Sequence, residues 1–173
     1  MAGLGVSDLI LSLHRLLRVR QQIKWHWIPV SQAIISFQVM IIFWYNISSE
    51  LNSPLINTSL GFLFWLLPLI CVLLIMLAVL PDKTPDENFK LYDWYIKNRK
   101  YYYTLFILLI VTTIINRLFL YETKDGWYIP VILLTVFVAL LISKKTWVHA
   151  VGTICLFLFI TAINFFLQTK GFV

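Results

Sequence analysis

Three histidines are the residues of this sequence best suited to hold a metal ion or a haem iron: His14, His26 and His149. His26 and His149 each stand beside a long apolar run, so the fold could bring them together as a pair. Neither belongs to a His-x-x-x-His spacing, and no cysteine stands nearby as a further ligand. We therefore favour contacts with lipid headgroups or carbonyl groups for these rings, and we predict neither a metal site nor a cofactor.

Acidic side chains are absent from the long apolar runs. All eight Asp and Glu residues stand before, between or after these runs. A proton-coupled transporter needs a carboxylate inside the membrane, and an intramembrane hydrolase needs an acid, an activated nucleophile or a metal at depth. The sequence also has no glycine-rich phosphate loop and no Cys-x-x-Cys pair. We therefore predict that the protein is not an enzyme.

Neutral polar residues do occur inside the apolar runs, and several share one face of a helix at about 100° per residue. The candidate polar stripe combines such residues from three predicted spans. Gln38 belongs to the first span, Thr112 and Asn116 belong to the third, and the fifth contributes His149, Thr153, Thr161 and Asn164. One interpretation is a lined solute pathway, and the other is hydrogen bonding between helices, which commonly holds membrane bundles together. We favour the second. We expect the last helix to pack centrally, with its polar face toward the first and third spans, while the second and fourth spans face lipid.

Basic residues outnumber acidic ones, giving a net charge of +6. In a chain this apolar, the excess indicates attraction to anionic lipids at the cytoplasmic face rather than binding to nucleic acid. Arg117 alone interrupts a span; it could mark an anion site, but we favour snorkelling of its side chain to the interface. The residues predicted to contact lipid headgroups are Arg15, Arg18, Arg20, Lys24, Lys97, Arg99, Lys100 and Arg117.

The elements that must position these residues are membrane helices. Of the residues, 60% are hydrophobic and only 13% are charged, whereas soluble domains have about a quarter charged. A span needs about 20 apolar residues. The sequence predicts an all-α, polytopic membrane helical bundle forming a single domain over 1–173. Its five transmembrane helices are placed at 28–47, 60–80, 101–120, 127–143 and 147–167, with two cytoplasmic interfacial amphipathic helices at 7–25 and 86–99.

Orientation follows from the distribution of lysine and arginine. With five spans, eleven of the 14 basic residues fall on one side, and only Arg117, Lys124 and Lys170 fall on the other. The side richer in Lys and Arg is normally cytoplasmic. We therefore predict a multi-pass membrane protein with the N-terminus in the cytoplasm and the C-terminus on the opposite side of the membrane. The number of basic residues on each side depends most on whether the short fourth span crosses the membrane.

Four stretches have a recognisable pattern: GVSDLILSLHRLLRVRQQIKWHWIPV, the aromatic helix end FWY, the connection LAVLPDKTPD, and LYDWYIKNRKYYYTLF at the entry to the third span. They resemble a widespread family of uncharacterised small bacterial integral membrane proteins. The resemblance implies a bacterial protein, so the predicted membrane is the bacterial inner (plasma) membrane and the predicted C-terminus lies in the periplasm. The similarity covers about the first two thirds of the chain in pattern, and the remainder only in hydropathy. The resemblance implies an architecture and no activity, so no functional residue is carried over from it.

Two functions remain open at this stage. The favoured one is a non-enzymatic structural component or subunit of an envelope assembly, because the spans lack the groups that intramembrane chemistry requires. The alternative is an oligomeric channel or small-solute carrier lined by the polar faces of the first, third and fifth predicted spans. The expected partners are the lipid bilayer, its anionic lipids at the cytoplasmic face, and either further copies of the chain or another membrane protein.

Overall fold

The computed structural model describes residues 2–50, 58–82, 88–116, 118 and 128–170. Within those ranges the chain forms six α-helices: α1 Ala2–Arg18, α2 Trp27–Glu50, α3 Ser59–Ala78, α4 Leu91–Asn116, α5 Tyr128–Ile142 and α6 Thr146–Lys170. A 3-10 turn, Arg20–Gln22, and two short strands, β1 Ile23–Lys24 and β2 Phe89–Lys90, complete the described secondary structure. The prediction of an α-helical bundle is confirmed.

Three of the described helices are long and apolar enough to cross a membrane. They are Trp27–Tyr45 within α2, Ser59–Ala78 in α3, and Thr146–Phe165 within α6, and they correspond to the first, second and fifth predicted spans. The fourth predicted span corresponds to α5, which is apolar over Ile129–Ile142 but shorter than the other three. The architecture thus fits a membrane protein, with three helices that meet the requirement for spanning by length and composition.

The third predicted span and the amphipathic segment before it form one helix. The sequence pattern separates a segment at 86–99 from a span at 101–120, whereas α4 runs without a break from Leu91 to Asn116. The pattern missed this continuity because Lys97, Arg99 and Lys100 change the polarity of the helix surface without interrupting its backbone hydrogen bonds. Residues 83–87 and most of 117–127 lie outside the described part of the chain.

The N-terminal helix packs against the bundle along one side. α1 begins at Ala2, five residues before the predicted start, and ends at Arg18. Its buried face carries Gly5, Leu9, Ser12 and Leu16, and a Cβ atom on Gly5 would lie 3.1 Å from Leu73 Cδ1 and 3.2 Å from Met76 Sδ of α3. Leu13 and Leu17, which belong to the same apolar stripe in the sequence, are 37% and 51% exposed. α1 therefore has apolar residues on both its protein side and its outer side.

A short parallel pairing ties the N-terminal segment to the start of α4. Ile23 of β1 pairs with Phe89 of β2, and Lys24 pairs with Lys90. Asn88 precedes β2 with φ 63°, a left-handed conformation that asparagine tolerates better than most residues. The pairing holds the end of the N-terminal segment at the level where α4 begins.

Helix α4 is the centre of the bundle. It packs against α3, α5 and α2, while α6 packs mainly against α2 and to a smaller extent against α5. Tyr103 and Phe106 of α4 are almost completely buried, and the Phe106 ring stacks on Phe137 of α5 with centroids 4.6 Å apart. The expectation that the last helix packs centrally is therefore wrong, because a polar face shows which side of a helix meets protein and not how many neighbours it has.

Candidate functional site

The polar stripe on α6 meets polar residues of α2 at two levels. Gln32 Nε2 donates a hydrogen bond to Thr153 Oγ1 over 2.7 Å, and both side chains are buried. About two helical turns further along, Gln38 Nε2 donates to Thr161 Oγ1 over 3.0 Å. Gln38 is half-buried and Thr161 is exposed. These bonds hold α2 and α6 together at defined positions, and the second pair lies at the outer surface of the bundle.

A tyrosine of α4 completes the inner polar cluster. Tyr102 OH lies 2.9 Å from Ser36 Oγ and donates toward Gln32 Oε1 over 3.2 Å. Ser36 Oγ in turn donates to the backbone carbonyl of Gln32 over 2.9 Å. Gln32 therefore uses its amide nitrogen for α6 and its amide oxygen for α4. Three helices are therefore joined through one buried glutamine.

His149 belongs to a second buried chain of hydrogen bonds. Its Nε2 lies 3.0 Å from the Ser143 carbonyl oxygen, and because a carbonyl can only accept, Nε2 carries a hydrogen. Nδ1 lies 2.8 Å from Tyr95 OH, so in this tautomer Tyr95 donates to Nδ1. Tyr95 OH then accepts from Tyr103 OH over 2.6 Å. Both nitrogens of the ring are engaged, and the chain links α4 to α6 and to the α5–α6 connection.

The phenol of Tyr95 lies at the start of α4, before the predicted third span. Burial raises the pKa of this phenol well above its ordinary value, and the hydrogen bond with Tyr103 and the charge of Arg99 offset the rise only in part. The hydroxyl group thus stays protonated and keeps its role as a donor to His149. Among the described residues no carboxylate belongs to either polar cluster, and the contacts of both clusters position helices relative to one another.

The structure gives His26 and the remaining stripe residues separate surroundings. His26 Nδ1 accepts from the Ile28 backbone N–H over 3.3 Å. In α4, Asn116 Nδ2 donates to the Phe64 carbonyl of α3 over 2.9 Å, and Thr112 Oγ1 donates to the Leu109 carbonyl of its own helix. Asn164 of α6 is half-buried. Thr112 and Asn116 therefore do not join the polar contacts between α2 and α6.

Basic residues gather at the end of the bundle where α4 begins. Arg15 Nη1 donates to the Asp82 carbonyl over 2.6 Å, while Arg18, Arg20, Lys24, Lys97 and Lys100 are exposed. Arg99 is 6% exposed, and its Nη1 donates to the Ile96 carbonyl over 2.9 Å. Arg117, the remaining predicted headgroup contact, lies outside the described residues. The basic side chains thus divide into a tethered, a buried and an exposed group.

A cavity of about 640 Å³ opens beside these residues, between the start of α4 and the α5–α6 connection. We call it the basic groove. Its walls include the side chains of Tyr92, Ile96, Lys97, Arg99, Lys100 and Lys144. The sequence places Lys144 on the same predicted side of the membrane as the α4 residues, but only the fold brings it to one cavity with them.

Comparisons with protein-family models, with curated proteins and with solved structures find no match for this chain. The family resemblance described above therefore stays a prediction, and the residues themselves must carry any statement about function. Across the described part of the chain, no three or more His, Cys, Asp or Glu side chains stand close enough to hold a metal ion.

The tyrosines of α4 are site residues that the predicted polar stripe does not include. A run of three tyrosines at the start of an apolar segment is typical of an aromatic belt at the membrane surface. Tyr101 is 55% exposed, but Tyr102 and Tyr103 are buried. The signal that could have identified them is their spacing. Tyr95, Arg99, Tyr102 and Phe106 recur at intervals of four, three and four residues, which places them on one face of a continuous helix.

Proposed function

We propose that the protein is a non-enzymatic structural component of the bacterial inner membrane, acting as a subunit of an envelope assembly. The observation that carries this proposal is the pairing of Gln32 with Thr153 and Tyr102 inside the bundle. Polar groups that line a solute path must be free to exchange partners with water. Here the most buried polar side chains of α2 hold the helices in position, as expected for a scaffold.

The Gln38–Thr161 pair supports contact with a further helix. Thr161 is exposed and Gln38 is only half-buried, although both lie well inside helices that are long enough to cross a membrane. A polar pair facing hydrocarbon is less favourable than one covered by protein. A partner helix, from a second copy of this chain or from another membrane protein, would cover it. The same surface is where an oligomeric channel would form, so this alternative is kept in the test below.

We further propose five spans, with the basic end of the bundle in the cytoplasm. The β1–β2 pairing and the α5–α6 connection bring Lys24, Lys90 and Lys144 to the end where α4 begins. The positive-inside rule then assigns that end to the cytoplasm. α5 has 15 residues, which at 1.5 Å each gives about 22 Å, so it would cross with its ends drawn into the interfaces.

Labelling of single cysteines tests the orientation and the number of spans. In a chain with Cys71 and Cys155 replaced by alanine, Lys90→Cys and Lys144→Cys should react only from the cytoplasm. Ser53→Cys and Thr123→Cys should react from the periplasm. Reaction of Lys90→Cys from outside would reverse the orientation. Reaction of Lys144→Cys from outside, with Lys90→Cys still inside, would show that α5 does not cross.

Reconstitution tests the structural role against the channel. The purified protein should not increase the release of ions or small solutes from liposomes, and Gln38→Leu should weaken its association with itself or with a co-purified membrane protein. Native mass spectrometry measures that association. A ring-shaped oligomer that conducts ions, with a conductance changed by Gln32→Leu, would instead establish the channel.

A further inference from the structure

We propose that the basic groove binds the phosphate group of an anionic phospholipid, with Arg99, Lys100 and Lys144 as its cationic contacts. This binding does not require that the chain belong to a larger assembly. It assigns a specific lipid site to one end of the bundle, whereas net charge alone predicts only a general attraction to anionic membranes.

Arg99 is the residue that makes the groove more than a cluster of surface charges. Its side chain is almost fully buried at 6% exposure, and its Nε is buried without a hydrogen-bond partner. The one bond made by its guanidinium group within the described chain goes to a neutral carbonyl, that of Ile96. A buried cation without a counter-ion is unfavourable, and an anion in the groove would compensate for the lost hydration.

The charges around the groove leave room for such an anion. Among the described residues, four basic ones line it, and the acidic residue among its walls is Asp93. The carboxylate of Asp93 lies 3.9 Å from Lys90 Nζ, which stands outside the groove and partly offsets its charge. The described residues that line the cavity therefore carry a net positive charge, and a guanidinium group beside ammonium groups is well suited to bind phosphate oxygens.

The groove is built by tertiary contacts rather than by one flexible segment. Tyr92 OH donates to Thr146 Oγ1 over 3.0 Å, and His149 is bonded to the Ser143 carbonyl. These two bonds flank Lys144 in sequence and fix the α5–α6 connection against the start of α4. The distance between the lysine of the connection and the cations of α4 is thus set by the fold, which reduces the entropy lost when a ligand binds.

The position of the groove favours a membrane lipid over a soluble phosphate. Tyr101 follows Lys100 and is 55% exposed, and Trp147 follows Thr146 and is 65% exposed. Tyr101 begins the predicted third span and Trp147 lies at the start of α6, and exposed tyrosine and tryptophan at the ends of membrane spans lie at the level of the lipid headgroups. Ile96 and the Tyr92 ring supply an apolar part of the wall. A volume of about 640 Å³ is within the usual range for a small-ligand site.

Native mass spectrometry of the detergent-solubilised full chain can test the site. The probes are phosphatidylglycerol, phosphatidylcholine with matched acyl chains, and soluble glycerol 3-phosphate. The wild type should retain phosphatidylglycerol at least about tenfold more strongly than phosphatidylcholine. Lys144→Gln and Lys100→Gln should each reduce that preference several-fold. Lys145→Gln is the matched control, because this neighbouring lysine is not part of the groove wall, and it should leave the preference unchanged.

Arg99→Gln should abolish the preference, and the two lysine variants keep the test valid if this buried substitution prevents folding. Equal retention of the two lipids would overturn the proposal, and so would a loss in Lys145→Gln equal to that in Lys144→Gln. Displacement of the lipid by glycerol 3-phosphate at comparable concentration would show a soluble phosphate ligand and would overturn the assignment to a lipid.

Discussion

Gln32 and Thr153 stand 121 positions apart in the sequence, and Nε2 of the glutamine donates to Oγ1 of the threonine over 2.7 Å. Their side chains are 0% and 1% exposed. This contact joins the first and the last of the helices long enough to cross a membrane. It also holds the Gln32 amide in the orientation that lets its oxygen accept from Tyr102.

We predict a measurable coupling between these two residues. In a double-mutant cycle with Thr153→Val and Gln32→Leu, the coupling free energy should be about 0.6 kcal/mol and at most about 1.7 kcal/mol, as for other hydrogen bonds between membrane helices. Gln32→Leu alone should be more destabilising than Thr153→Val, since it also removes an acceptor of Tyr102. Reversible unfolding in mixed detergent micelles gives the free energies.

Thr135→Val is the control for this cycle. Thr135 is exposed and bonds to the Val131 carbonyl of its own helix, so its substitution should show no coupling to Gln32→Leu. Coupling of equal size in the control would mean that the cycle reports on the detergent environment and not on the contact.

The sequence predicted the polar face of α6 but not all of its partners. The spacing of His149, Thr153 and Thr161 places them on one face of α6, and each of them makes a hydrogen bond to a residue of another helix. Gln38 of α2 belongs to the predicted polar stripe, whereas Tyr95 and Tyr102 do not. The reason is physical: a phenol has an apolar ring and one polar atom, so it suits the headgroup region and a hydrogen-bonded core equally well.

The hydrophobic pattern of the sequence did not predict which helices pack against one another. Apolar residues in a membrane helix face lipid and protein alike, so hydrophobicity does not separate the two sides of α1 or rank α4 above α6. Leu13 and Leu17 share the apolar stripe of α1 with the buried Leu9 and Leu16, yet they are exposed. The basic groove could not be predicted from hydrophobicity either, because only the packed helices show that Lys144 and Arg99 line one cavity.

The bond from Arg15 to the Asp82 carbonyl should stabilise the attachment of α1 to the end of α3. Arg15→Gln should lower the stability of the α1 contact by about 1 kcal/mol, less than a buried charged hydrogen bond because the site is open to solvent. Hydrogen exchange in α1 should become faster. Arg18→Gln is the control on the same helix, since Arg18 is exposed. Equal exchange in the two variants would show that lipid rather than protein holds this helix.

Gly152 of α6 provides a test of close packing between α5 and α6. A Cβ atom there would lie 2.7 Å from Leu140 Cδ2 and 3.2 Å from Leu140 Cγ, so the buried leucine would have to move. Overpacking costs about 1–3 kcal/mol, and the better helix propensity of alanine returns about 1 kcal/mol. Gly152→Ala should therefore be neutral to destabilising by about 2 kcal/mol.

Gly3→Ala is the control. A Cβ atom on Gly3 would meet no atom within 4 Å, so this substitution should not be destabilising. Thermal unfolding in detergent that ranks Gly152→Ala above Gly3→Ala in stability would contradict the observed packing.

Removal of the Ser12 hydroxyl group in α1 should stabilise the protein. The side chain is 2% exposed, and its Oγ is buried without a hydrogen-bond partner. An unpaired buried hydroxyl costs about 1–3 kcal/mol, so Ser12→Ala should raise the free energy of unfolding by about 1 kcal/mol or more. Ser7→Ala makes the same chemical change at an exposed position of the same helix. It therefore shares the small gain in helix propensity, about 0.5 kcal/mol, but not the relief of the unpaired group. Chemical unfolding of the two variants in the same detergent isolates that difference. If both gain equally, the Ser12 hydroxyl has a partner, such as water or lipid, and α1 lies less closely against α3 than the contact of Gly5 with Leu73 indicates.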